Sequence, residues 1–290
     1  MQPDQRIGRE LSIGEVISKT FEVYRRDFTK YFVLFAVVEV ILLIVQAAVI
    51  RQLVFPIVPA NPAPGQALSI LSAFFRTLIL FVAAFLVVGL VFLPVAEGTA
   101  FKMASERIEK GQADLVASVR FAVSRLLWIW ALTILVGVIV ALGFFALVVP
   151  GVILAIMFCL ALPVLVIENK GVLESMRRSR ELVGHRWGKT FVTFLVLGVV
   201  VLVATEIVNV ISAPFGPART VVIGLLAGLY EPVLPLALVT YYYSNVARLT
   251  PSLAGQMSTA TTGAKFCTSC GAQLASPVLF CPNCGARQPA

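Results

Sequence analysis

Hydrophobic positions along this chain of 290 residues gather into six long runs, 30 to 50, 77 to 96, 126 to 149, 151 to 167, 191 to 212 and 219 to 246, with polar stretches between them. A helix needs about 20 apolar residues to cross a hydrocarbon core of roughly 30 Å, so the pattern predicts six transmembrane helices. From Leu126 to Ile167 the chain runs 42 residues without a charge. One helix of that length would extend about 63 Å, twice the hydrocarbon thickness, so the segment must fold back. Val149-Pro150-Gly151 is the expected break, because proline lacks an amide donor and glycine accepts turn dihedrals.

The polar stretches before runs one, three and five have a helical period of their own. Ile13, Val16, Ile17, Thr20, Phe21, Tyr24 and Phe28 recur at helical spacing, and Ser12 with Glu15 fits a capping box. Leu115, Val116, Val119, Val123 and Leu126 do the same in the second stretch. Aligning the three places Ser18, Ser118 and Ser179 together, then Phe21, Phe121 and Leu182, then Arg25, Arg125 and Arg186. The expectation is a threefold repeat, each unit an interfacial amphipathic helix followed by a two-helix membrane hairpin. Mean hydropathy of +0.94 leaves little material for a separate soluble core.

Charge then orients the chain. Twenty of the 23 Lys and Arg residues lie in 1 to 30, 97 to 125, 168 to 190 and 247 to 290, against Arg51, Arg76 and Arg219 on the other side. The excess predicts a multi-pass cell-membrane protein with cytoplasmic N- and C-termini. The first 29 residues are too polar for a cleavable signal peptide, so run one is expected to be an uncleaved anchor. The net charge of +8 reads as this topology bias and attraction to anionic headgroups, not as a nucleic-acid footprint.

Pro150-Gly151, Leu162-Pro163-Val164-Leu165-Val166-Ile167-Glu168-Asn169-Lys170-Gly171, Glu174-Ser175 and Ser179-Arg180-Glu181-Leu182-Val183-Gly184-His185-Arg186-Trp187 together resemble the membrane domain found on some glycerophosphoryl diester phosphodiesterases and on many stand-alone prokaryotic membrane proteins. Tyr241-Tyr242-Tyr243-Ser244-Asn245-Val246-Ala247-Arg248 is similar to the aromatic and basic close of that domain's last helix. The resemblance covers roughly residues 10 to 248 and implies a six-helix all-α membrane fold. It carries no activity, because that family's chemistry sits in a separate barrel with metal-binding acids and histidine. The single histidine here, His185, reads as an interfacial packing residue.

Past Arg248 the composition changes. Residues 249 to 264 are uncharged and small, and are expected to form a flexible linker between a membrane domain, 1 to 248, and a tail module, 265 to 287. The tail reads Cys267-x-x-Cys270-Gly271, ten residues, then Cys281-x-x-Cys284-Gly285. Two such knuckles present four thiolates to one tetrahedral zinc, and glycine after the second cysteine lets the backbone fold under the ligands. The segment resembles the short zinc-ribbon tails of many prokaryotic proteins, and a reducing cytoplasm favours thiolates over disulfides. Four protein ligands leave no open position for catalysis at the metal.

Three acids fall inside the runs: Glu39, Glu206 and Glu231, the last followed by Pro232 and Pro235. A carboxyl in hydrocarbon must be neutral, paired or facing a wet cavity, and proline frees carbonyls of the kind that bind ions. Gly224-x-x-x-Gly228 would let another helix pack close. The chain is therefore expected to be an all-α polytopic membrane bundle with a small C-terminal zinc ribbon, and not an enzyme. Its expected role is to display the ribbon to a cytoplasmic protein. The alternative is a small transporter or channel working through Glu39, Glu206 and Glu231. Expected partners are zinc, the lipid bilayer, the ribbon's protein ligand and a second copy of the chain in a homo-oligomer; nucleic acid is not expected.

Overall fold

The computed structural model describes residues 7 to 52, 66 to 184, 186 to 261, 265 to 266, 273 to 274 and 284. His185 and the cysteines at 267, 270 and 281 lie outside the described residues. The described chain is helical but for one antiparallel pair, β1 (Lys265–Phe266) with β2 (Gln273–Leu274). Among the described residues five helical segments are long and apolar enough to cross a membrane: Phe28–Val45, Leu126–Ala146, Val148–Ile167, Trp187–Gly216 and Arg219–Leu249. By length and composition they fit a multi-pass membrane protein.

The helices fall into three units of the same plan. An amphipathic helix comes first: α1 (Ile13–Arg26). A long apolar helix follows, α2 (Phe28–Gln52), and then a broken one, α3 (Gln66–Val87) passing through a π-turn at Val88–Phe92 into α4 (Leu93–Lys110). The second unit is α5 (Leu115–Ser124), α6 (Leu126–Ala146), and α7 (Val148–Phe158) broken from α8 (Ala161–Ile167). The third is α9 (Val172–Val183), α10 (Trp187–Ser212), and α11 (Arg219–Tyr230) broken from α12 (Val233–Thr261). The capping box at Ser12 and Glu15 starts α1 as its sequence requires, and Asp114 caps α5 by accepting from the Ala117 amide at 3.1 Å.

The halves that follow the breaks form the centre. Helices α4, α8 and α12 pack on one another, and the amphipathic helices close a ring around them, with α5 on α4, α9 on α8 and α1 on α12. Each amphipathic helix thus seats on the broken helix of the unit before it, the third unit receiving the first. Leu-Pro recurs just inside every post-break half, at Leu93-Pro94, Leu162-Pro163 and Leu234-Pro235. A proline there has no amide to offer, and a helix start is where that absence is cheapest.

The amphipathic helices turn one side to this core and leave other apolar residues outside. Helix α5 buries Ser118 and Ala122 while Val116 and Val123 are exposed, and α9 buries Ser175 and Ser179 while Leu173 is exposed. That is the facing an interfacial helix wants, with apolar side chains free to enter lipid.

Three expectations change. Val149-Pro150-Gly151 is not the hairpin turn; Leu147, in an extended conformation, is, and Pro150 falls in the first turn of α7, where its missing amide goes unused. Gly151 serves packing: a Cβ there would lie 2.4 Å from the Phe144 ring, so the glycine permits the tight α6–α7 hairpin. The run expected at 77 to 96 begins earlier, since α3 starts at Gln66, and Arg76 is an exposed residue within α3 instead of a loop cation. The backbone of α12 is helical through Thr261, over most of the residues read as a linker, which include the good helix formers Leu253, Ala254, Gln256 and Met257.

The repeat also has a different register. Ser18 is exposed whereas Ser118 and Ser179 are buried. The buried residues of α1, Val16, Thr20, Val23 and Tyr24, match Ser175, Ser179, Leu182 and Val183 of α9 in spacing, two residues away from the serine alignment. Short polar identities mislead here because burial, not hydroxyl content, defines the equivalent face.

Candidate functional site

Helix α2 packs closely against α11. Gly228 lies over the Ala36 backbone, where a Cβ would sit 3.3 Å from the Ala36 nitrogen. A Cβ on Gly224 would meet Leu43 Cδ1 at 3.0 Å and Glu39 Oε2 at 3.3 Å. The two glycines therefore do what their spacing predicts and draw the helices together. Their approach brings Glu39 of α2 close enough to Glu231, the residue just past α11, for the two carboxyls to act on each other electrostatically. Glu231 Oε2 is buried and has no hydrogen-bond partner among the described residues.

Glu97, from α4, is the third acid, near enough to act electrostatically on Glu231. Its position at the boundary of a polar stretch hid it in the sequence. Glu206 does not join the group. It is exposed on α10, 19 residues beyond Trp187, or about 28 Å along the helix, so it sits toward the far end of that span.

Two of the helix breaks are stitched by side chains from the amphipathic helices, and the third by one from α6. Tyr24 of α1 donates its hydroxyl to the Leu229 carbonyl at 2.7 Å, just before the Glu231-Pro232 break. Ser179 of α9 donates to the Met157 carbonyl at 2.8 Å and accepts from the Leu160 amide at 3.2 Å, bridging the α7–α8 break. Leu229 and Met157 each lie six residues before the proline of their Leu-Pro pair, so these are equivalent carbonyls. In the first unit the Trp130 indole donates to the Leu90 carbonyl within the π-turn. Backbone groups freed by a helix break inside a membrane need such partners, and hydroxyls supply them.

A layer of ion pairs outside the spans joins elements within and between these units. Burial pushes the Asp27 carboxyl up, but hydrogen bonds from Arg107 and Lys30 outweigh it and hold the group below its ordinary value. Glu168 shows the same balance: burial raises it, and Lys170 at 2.8 Å, the Tyr242 hydroxyl at 2.8 Å and Arg178 at 3.2 Å bring it down further. Glu10 is lowered chiefly by its hydrogen bond from Lys189, with Arg186 at 3.3 Å assisting. Nearby, the Leu11 amide donates to Ser244 Oγ at 2.8 Å, fixing the segment before α1 onto α12.

Of the four cysteines expected to hold zinc, only Cys284 is described, in a turn. The β1–β2 pairing joins Phe266 to Gln273, the residues flanking the segment that contains Cys267 and Cys270. Among the described residues no group of three or more His, Cys, Asp or Glu side chains is arranged to hold a metal. No protein-family profile matches the chain, and neither the curated proteins nor the solved structures contain a match.

Proposed function

We propose that this chain is a non-enzymatic membrane protein whose helical bundle carries a zinc ribbon, made by Cys267, Cys270, Cys281 and Cys284, as a docking module for a cytoplasmic protein. The observation that carries the reading is the spacing of the two Cys-x-x-Cys-Gly knuckles, supported by the antiparallel pair whose ends flank the first of them. The attachment also supports it: α12 is a central core helix, burying Leu236, Ala237, Val239, Tyr241 and Tyr242, and its backbone continues helically to Thr261, four residues before β1. Zinc would fold a segment of about 20 residues that cannot bury a core of its own.

One observation favours a second reading, a proton- or cation-coupled transporter: the Glu39–Glu231 carboxyl contact with Glu97 nearby, at a proline-broken helix. Acids at such a position are the usual coupling groups of transporters.

Cross-linked affinity purification with mass spectrometry, alongside zinc analysis, separates the two. For the ribbon reading, Cys267→Ser with Cys270→Ser loses zinc and a specific set of partners together, at equal expression. If zinc goes and the partner set stays, that reading fails. Proteoliposome flux that Glu39→Gln or Glu231→Gln abolishes, with the cysteine variant unaffected, establishes the second.

A further inference from the structure

We infer that the outer face of α1 holds the phosphate of an anionic phospholipid, with Arg25 as its principal contact. This site is independent of the ribbon and of the carboxyl pair. A groove of about 590 Å³ runs along that face, lined by Ser18, Phe21, Glu22, Arg25 and Arg26. Positions 18, 21, 22 and 25 share one side of a helix, opposite the buried Val16, Thr20, Val23 and Tyr24.

The charges in the groove are unevenly satisfied. Glu22 is held between Lys19 at 2.9 Å and Arg26 at 2.7 Å, so its negative charge is spent within the helix. Arg25 is exposed and, among the described residues, forms no ion pair or hydrogen bond. The groove therefore offers an uncompensated guanidinium, whose planar fork suits a phosphodiester, together with the exposed hydroxyl-bearing Ser18.

Location selects a lipid as the source of that phosphate. Helix α2 begins at Phe28, two residues after α1 ends, and Phe28–Val45 is long and apolar enough to cross a membrane. The groove thus opens where headgroups lie. Phe21 within the groove and Phe28 at the start of α2, 39% and 41% exposed, add aromatic surface that a soluble anion would have no use for and an acyl chain would cover.

The test uses the full-length protein in nanodiscs of equal parts phosphatidylglycerol and phosphatidylcholine, released into the gas phase to weigh the lipid retained. Wild type is expected to keep phosphatidylglycerol in preference to phosphatidylcholine. Arg25→Gln should cut that preference about fivefold, the fold-change that matches roughly 1 kcal/mol per basic residue at an anionic surface. Ser18→Ala, which alters no charge, should lower it by a smaller factor and guards against a misfolded Arg25 variant. Arg120→Gln, at an exposed cation of α5 away from the groove, should leave it unchanged. Retention by Arg25→Gln equal to wild type, or an equal loss in Arg120→Gln, overturns the site, the latter because it would mean diffuse surface charge.

Discussion

A single missing methyl decides whether α2 and α11 meet. At Gly228 the nearest obstruction is the Ala36 main chain, which cannot rotate aside, whereas Gly198 of α10 has nothing within 4 Å of a built Cβ. Gly228→Val should therefore cost about 1 to 3 kcal/mol, the usual range for overpacking. Gly198→Val should cost less than about 0.5 kcal/mol, as a substitution into open space. Thermal unfolding of both variants in detergent checks this, and equal losses would mean that the α2–α11 contact is not a stability determinant. At the same scale, Glu39 and Glu231 were visible in the sequence as acids out of place. Their contact was not, since the helical faces that meet are set by Gly224 and Gly228 finding Ala36 and Leu43, not by hydropathy.

Three interrupted helices define the elements of this fold, and each break leaves carbonyls that lipid cannot satisfy. The hydroxyls of Tyr24 and Ser179 serve equivalent positions, so their removal should act alike. Tyr24→Phe and Ser179→Ala are each expected to destabilise by about 1 to 2 kcal/mol, the value of a buried hydrogen bond whose partner is left unpaired. Hydrogen exchange should then quicken locally, at Leu229 to Glu231 in the first variant and Met157 to Leu160 in the second. Uniform exchange across the chain in both would argue that the caps are incidental. The Leu-Pro pairs at 93, 162 and 234 are a signal of these breaks that a reading of run lengths passes over, because proline inside an apolar run reads as a local kink.

The whole molecule is a ring of three units, with carboxylate ion pairs both within a unit and between units. Asp27 joins the α1–α2 junction to α4, Glu10 joins the first unit to α10, and Glu168 joins α8 to α9 and α12. All three are held below their ordinary values in the folded protein. A carboxyl lowered on folding adds stability at pH above its unfolded value, about 4, and loses it as pH falls through the folded value. The melting temperature should accordingly be flat near neutrality and fall below about pH 4. Asp27 is the most enclosed, its side chain 3% exposed against 15% for Arg107. Asp27→Asn should cost about 3 to 5 kcal/mol at neutral pH, as when one partner of a buried pair is removed, and should flatten the acid slope. A melting temperature unchanged between pH 7 and pH 3 would show that these pairs contribute nothing to the fold.

Membrane character, helical class and the amphipathic lead-in helices were determined by the sequence itself, because each is local. An apolar run of a given length or a cap needs no knowledge of what lies beside it. Tertiary structure alone decided the cyclic seating of α1, α5 and α9, the pairing of Glu39 with Glu231 beside Glu97, the exclusion of Glu206, and the register of the repeat. These are matters of facing, and a nearly uniform apolar helix offers no periodic mark of which side meets its neighbour; only close packing of small residues against particular backbones selects it.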